Sequence, residues 1–146
     1  MEIRQVQIAE IVEVLDLYDE YDRPKSPRPT DDEVQNVFAS ILQSGGCVVG
    51  AFAVEGLVGT CTVNICANLS WSGRSYAIIE NVIVSKAYRG QGVGKAILQY
   101  AQAFAQRAGC YKVGLMTGSK DPATYRFYES SGFSPSKQGF QVRFSA

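Results

Sequence analysis

The chain has 146 residues, 46% of them hydrophobic, enough for a single domain that buries about 68 to 70% of its extended-chain surface without disulfide or metal staples. Fourteen Lys and Arg balance fourteen Asp and Glu, and a formal charge of zero argues against a nucleic-acid platform or a membrane-surface binder. There is no histidine, which removes Ser-His and Cys-His nucleophile pairs and leaves a zinc site short of its usual ligands, so no metal is expected and proton transfer falls to carboxylate, Tyr, Lys, Cys or water.

The opening MEIRQVQIAE carries acidic residues and no apolar h-region, and no run approaches about 18 uninterrupted apolar residues. A soluble, cytoplasmic protein without a membrane segment is expected. Met1 to Val6 reads as a short edge strand. From Ile8 the set Ile8, Ile11, Val12, Leu15 and Tyr18 has helical spacing and predicts an amphipathic helix to about Glu20. Asp22 to Pro29, DRPKSPRP, has three prolines and three basic residues and reads as a loop. Thr30 and Glu33 then form a capping box before Val34, Val37, Phe38, Ile41 and Leu42, and Gly45-Gly46 ends this second helix.

Cys47–Val54 and Leu57–Cys66 are β-rich runs joined at Glu55-Gly56 as a hairpin. Asn68 to Gly73 is the next turn; Trp71 within it could touch substrate or cover the edge of the core. Tyr76 to Val84 is a fourth strand, apolar on both faces and therefore central. Val93, Ile97, Tyr100, Ala101, Phe104 and Ala108 give a helix closed by Gly109, and Tyr111 to Thr117 a fifth strand. Asp121-Pro122 supplies an N-cap and a first-turn proline for a last helix that stops at Gly132. Two further β segments are expected, around Phe133 and from Gly139 to Phe144. Cys47, Cys61, Cys66 and Cys110 form no C-x-x-C pair and read as buried free thiols. The predicted fold is one α/β domain over residues 1–146, a mixed, mostly antiparallel sheet of six to seven strands with four helices on both faces.

Ile78 to Lys95, IIENVIVSKAYRGQGVGK, concentrates the chemistry. An apolar strand ends in a basic, glycine-rich turn that opens onto a helix, where unpaired N–H groups and the helix dipole suit phosphate oxygens. A Walker A loop fails, because Gly94-Lys95 is followed by Ala96 and Arg89 stands where its first glycine would be. A dinucleotide fingerprint from Gly90 and Gly92 meets Lys95 at its third glycine. What fits is R-x-x-G-x-G at Arg89, Gly92 and Gly94, followed by Y-x-x-x-G-F at Tyr128, Gly132 and Phe133. In these motifs the sequence resembles the GNAT superfamily of acetyl-CoA-dependent N-acetyltransferases, over about half of the chain.

The resemblance implies acetyl-CoA as co-substrate and a slot between the splayed fourth and fifth strands for its pantetheine arm. The Val82 N–H is implied as oxyanion donor, with Ile83 and Val84 bonding the arm. The pyrophosphate is implied to lie on the main chain of Gly90, Gln91, Gly92, Val93 and Gly94, with Arg89 and Lys95 assisting by charge. Tyr128 matches the family tyrosine that protonates the leaving thiolate; a helix tyrosine packed in the core is the competing reading. Where many relatives carry an asparagine that contacts the cofactor, this chain has Asp121, which caps a helix but offers no N–H donor.

Glu80 lies between Ile78 and Val82 on what reads as one strand face, where burial would raise its pKa toward that of a general base; a Glu satisfied by Arg or backbone is the alternative. Arg23, Lys25 and Arg28 are candidates for holding an anionic acceptor, against a solvated basic loop balanced by Asp31, Asp32 and Glu33. The function implied is acetyl transfer to a primary amine of a small acceptor. A catalytically silent acyl-CoA-binding domain and a protein-lysine acetyltransferase are the alternatives, and the alternating Phe140, Val142 and Phe144 suggest a homodimer.

Overall fold

The computed structural model describes residues 1–21 and 26–145. Its sheet has the order β1-β2-β3-β4-β5, formed by β1 (Glu2–Gln5), β2 (Cys47–Ala53), β3 (Gly56–Cys66), β4 (Tyr76–Val84) and β5 (Val113–Leu115). Neighbours from β1 to β4 run antiparallel, whereas β4 and β5 are parallel, because a whole helix, α4 (Val93–Arg107), carries the chain back between them. The mixed α/β class expected from the sequence is the one observed.

Two layers flank the sheet. Ile97, Leu98 and Ala101 of α4 pack on Val49, Cys61, Val63 and Ile79. On the opposite face Val14 of α1 (Ile11–Asp19) and Phe38 of α2 (Asp31–Gln43) cover Val6 and Val48. The α2 capping box is present in full: Glu33 N–H donates to Thr30 Oγ1 at 3.2 Å and Thr30 N–H to Glu33 Oε1 at 2.8 Å. All four cysteines are free, and burial pushes the Cys47 thiol up to about 12.

Three local expectations are corrected. A 3-10 turn at Ile8–Glu10 precedes α1 and resets its phase, so Val14 and Leu17 are its buried positions while Val12 is 53% exposed. The turn at 68–73 contains α3 (Ser70–Gly73), in which Trp71 and Ser72 have left-handed backbone angles. Asn68 Nδ2 holds that turn by donating to Ser70 O and Arg74 O, and Trp71 stacks on Tyr111 at 5.1 Å between ring centroids; Trp71 thus covers an edge. The sheet has five strands, because no strand follows α5 (Pro122–Ser130) among the described residues. Alternation alone does not make a strand without a packed face, and Phe140, Val142 and Phe144 are 89%, 77% and 97% exposed.

Candidate active site

The site begins where β5 stops. Its parallel pairing with β4 covers Ala77↔Val113, Ile78↔Gly114 and Ile79↔Leu115, while β4 continues to Val84. Beyond Ile79 that edge of β4 has no strand beside it among the described residues. On the other edge, Thr62 pairs with Glu80 and Thr60 with Ile83, so Asn81 and Val82 together oppose Cys61. This is a β-bulge, and Asn81 adopts φ +57° within it, a left-handed conformation that Asn tolerates better than other side chains.

One extra residue reverses the strand's alternation. Ahead of the bulge, Ala77 and Ile79 face the α4 core; after it, Val82 and Val84 do. Glu80 is therefore not flanked by Val82 on one face, and it is exposed. The expectation of a buried Glu80 is overturned by its exposure, and the bulge removes the Val82 neighbour on which it rested. Main-chain directions follow the same count. Ala77 N–H donates to Lys112 O on the β5 side at 3.0 Å, and Ser85 N–H to Val58 O on the β3 side at 2.8 Å. By alternation Ile83 bonds toward β3, and Val82 and Val84 turn their N–H groups toward the gap. Val84 O accepts from Arg89 Nε at 3.3 Å, in agreement with that direction.

The gap is a cavity of about 220 Å³ lined by Tyr18, Tyr21, Glu80, Asn81, Val82 and Tyr128 among others. A larger, shallow hollow of about 340 Å³ between α2 and β3, lined by Val37, Ile41, Asn64 and Ile65, has no titratable side chain in its wall and offers nothing to proton-transfer chemistry. Tyr128 is half-buried, its ring 5.0 Å from that of Phe127 and 6.3 Å from that of Phe133. Burial, with smaller contributions from Tyr21 and Cys61, pushes its phenol above the usual tyrosine value, so it holds its proton at neutral pH.

Next to the gap, a 3-10 turn at Lys86–Tyr88 leads through Arg89 to the start of α4. Gly90 and Gly92 have φ of +74° and +82°, and a Cβ at either would meet nothing within 4 Å; both are glycine for backbone shape, and both face open space. Ala96 N–H donates to Gly92 O at 3.1 Å, and the Gly92 N-cap has no side-chain partner, so the amides ahead of Ala96 remain available to an anion. Gly94 differs. A Cβ there would lie 2.8 Å from Phe127 Cζ, and the residue is buried, so it lets α4 approach α5. Gly94→Val is expected to destabilise the fold by about 1 to 3 kcal/mol through overpacking, whereas Gly92→Val, strained at its positive φ, should lower CoA affinity with a smaller loss of melting temperature. A Gly94→Val variant that melts like the parent yet loses CoA would return Gly94 to the phosphate-approach role implied by resemblance.

The remaining sequence candidates fall as follows. Val82, Ile83 and Tyr128 line the gap with Glu80, but the main chain of Ile83 turns to β3, where it pairs with Thr60, which corrects its expected bond to the cofactor arm; Arg89, Gln91 and Lys95 are exposed along the glycine turn. Asp121 caps α5, its Oδ1 accepting from Ala123 N–H at 2.9 Å, and it does not line the gap. Arg28 turns its guanidinium to α1, with Nη2 2.6 Å from both Asp16 and Asp19; its charge is already matched, which corrects its assignment to an anionic acceptor. Arg23 and Lys25 lie outside the described residues. Reading the sequence missed Tyr21, Asn81 and Thr117 in the cavity wall. A polar Asn inside the run IIENVIV was the available signal for the bulge. Among the described residues, no group of three His, Cys, Asp or Glu could hold a metal, and no helix is long and apolar enough to cross a membrane.

A family model described as "Acetyltransferase (GNAT) family" matches residues 11–133. Glucosamine 6-phosphate N-acetyltransferase of Trypanosoma brucei brucei is 33% identical over 104 residues, 69% of this chain and 68% of that protein. Among solved structures, a putative acetyltransferase from Agrobacterium tumefaciens superposes with a TM-score of 0.86 at 39% identity, covering 98% of this chain and 99% of that one. AAC(6')-Iy in complex with a CoA-linked bisubstrate analogue matches with a TM-score of 0.77 at 19% identity over 99% of this chain and 98% of that one, a likeness of fold.

Proposed function

The chain belongs to the GNAT family of acetyltransferases, and we propose that it transfers an acetyl group from acetyl-CoA to a primary amine of a small acceptor, by direct attack while both are bound. The observation that carries this reading is one cavity uniting the unpaired edge of β4, the Glu80 carboxylate and the protonated Tyr128 phenol. Acetyl-CoA supplies a thioester whose carbonyl carbon is the electrophile and whose thiol is the leaving group. The chain's own groups suit that chemistry. The open side of Gly90 and Gly92, with the uncapped start of α4, is shaped for phosphate oxygens, and Val84 on the free edge can bond an extended arm as a neighbouring strand would.

The Val82 N–H is aimed into the gap as a fixed donor for the oxygen on which charge develops. Glu80, exposed to solvent, takes the amine proton directly or through a water. Tyr128 holds a proton at Oη for the departing thiolate. A panel of amines, scored for CoA release with a thiol reagent, tests the reading. CoA binding without thiol release from any acceptor would favour a silent acyl-CoA-binding domain instead.

Two attributes complete the proposal. The four free thiols suit a reducing compartment such as the cytoplasm. The exposed Phe140, Val142 and Phe144 are proposed to cover themselves in a homodimer. Light scattering should give twice the chain mass, with Phe140→Asp/Phe144→Asp shifting it to monomer. A monomeric parent at micromolar concentration would remove this attribute without touching the chemistry.

A further inference from the structure

Tyr128 rides on the helix that the body of the protein holds least. No residue of α5 is buried, and of its nine residues Thr124, Phe127 and Tyr128 alone are partly covered. The hydrogen bonds at its amino-terminal end are local: Asp121 Oδ1 accepts from Ala123 N–H, and Ser119 Oγ lies 3.0 Å from Thr124 Oγ1. Delivering a proton to a departing thiolate requires the phenol within hydrogen-bond reach of the sulfur, so the place of α5 must be fixed from outside the helix.

Two contacts with α4 do this. Near the start of α4 the Phe127 ring occupies the space that the missing Gly94 side chain leaves. About 12 Å further along the helix, Gln102 Nε2 donates to Ser131 O at 2.6 Å, the one hydrogen bond that joins α5 or the turn after it to α4 among the described residues. Ser131 is 3% exposed, and its carbonyl, past the end of α5, has no partner within that helix. It therefore depends on a donor from elsewhere. Gly132, at φ +101°, brings the chain close by: a Cβ there would lie 3.3 Å from Gln102 Oε1.

Ser131 passes the constraint on to Tyr128. Its N–H donates to Phe127 O and to Tyr128 O, both at 3.1 Å, and its Oγ donates to Phe127 O at 2.8 Å. Phe133 N–H also donates to Tyr128 O, at 3.1 Å. We infer that Gln102 is a positioning residue for the reaction: by holding the Ser131 carbonyl it fixes the last turn of α5, and with it the Tyr128 hydroxyl at the gap. Gln102 is absent from the wall of the gap and acts through Tyr128. The inference deepens the transferase reading above and rests on it.

The test is a double-mutant cycle on the full chain, read as the single-turnover rate at saturating acetyl-CoA with an amine that gives CoA release. Gln102→Met keeps the length of the side chain and loses the donor. It should slow the chemical step roughly tenfold to hundredfold, the order expected when a reacting group is displaced by about 1 Å, with CoA affinity and the KM for the amine near those of the parent. In a Tyr128→Phe background the same substitution should cost nothing further, because the hydroxyl through which Gln102 acts is already gone. Gln102→Lys, whose ammonium can donate to the same carbonyl at the helix end, should restore most of the rate. If Gln102→Met does not fold, Gln102→Asn, one methylene too short to reach Ser131, carries the same cycle. Equal slowing in both backgrounds, or a Gln102→Met rate equal to the parent's while Tyr128→Phe is slow, overturns this inference alone. A Tyr128→Phe rate equal to the parent's removes the acid and this inference with it. No CoA release with any amine, while CoA still binds, overturns the transferase reading itself.

Discussion

Tyr128→Phe is expected to slow the chemical step by about 10² to 10⁴-fold, the range for loss of a full general-acid contribution. The substitution removes one hydroxyl and keeps the ring that contacts Phe127 and Phe133, so melting temperature and CoA affinity should stay near those of the parent. Burial already holds the phenol in its protonated form, and no histidine is present to replace it. The measurement is a single-turnover rate at saturating acetyl-CoA, because slow product release would mask the step at steady state. A variant that matches the parent in single turnover would make Tyr128 a packing residue.

Glu80→Gln should lower kcat/KM by about 10²-fold near pH 7, with the deficit closing as pH rises toward about 10, where an alkylamine acceptor loses its proton unaided. The sign follows from the nucleophile. A base contributes most when nearly all of the acceptor is protonated and least when the free amine is abundant. Because Glu80 is exposed at the mouth of the gap, the substitution leaves no buried group unsatisfied, so fold stability should not move. A loss of equal size at every pH would assign Glu80 to substrate positioning in place of proton transfer.

Much of the fold was legible because local rules fixed it. Thr30 and Glu33 announced the start of α2, and Asp121-Pro122 the start of α5, as short-range hydrogen bonds that two or three residues suffice to specify. The glycine turn was equally readable, since Gly90 and Gly92 are required by positive φ. The bulge was not. IIENVIV reads as one unbroken strand, and only the pairing of Thr60 and Thr62 across to Ile83 and Glu80 shows that two residues oppose Cys61. That single residue took Val82 off the face of Glu80 and set the direction of the Val82 and Val84 amides. The packing of Gly94 was hidden for a related reason: its neighbour Phe127 is 33 residues away in sequence. The carboxyl-terminal alternation had the period of a strand, but no strand follows α5 among the described residues and Phe140, Val142 and Phe144 are left exposed.

The central claim is that the free edge of β4 and the start of α4 together receive acetyl-CoA. An amide NMR titration with CoA tests it most directly, residue by residue, on the intact chain. The account predicts saturable shifts at Val82, Val84 and Gly90 through Val93, with the α2–β3 hollow around Val37 and Asn64 unmoved. Shifts confined to that hollow, or absent from Val82 and Val84 while CoA binds, would contradict it.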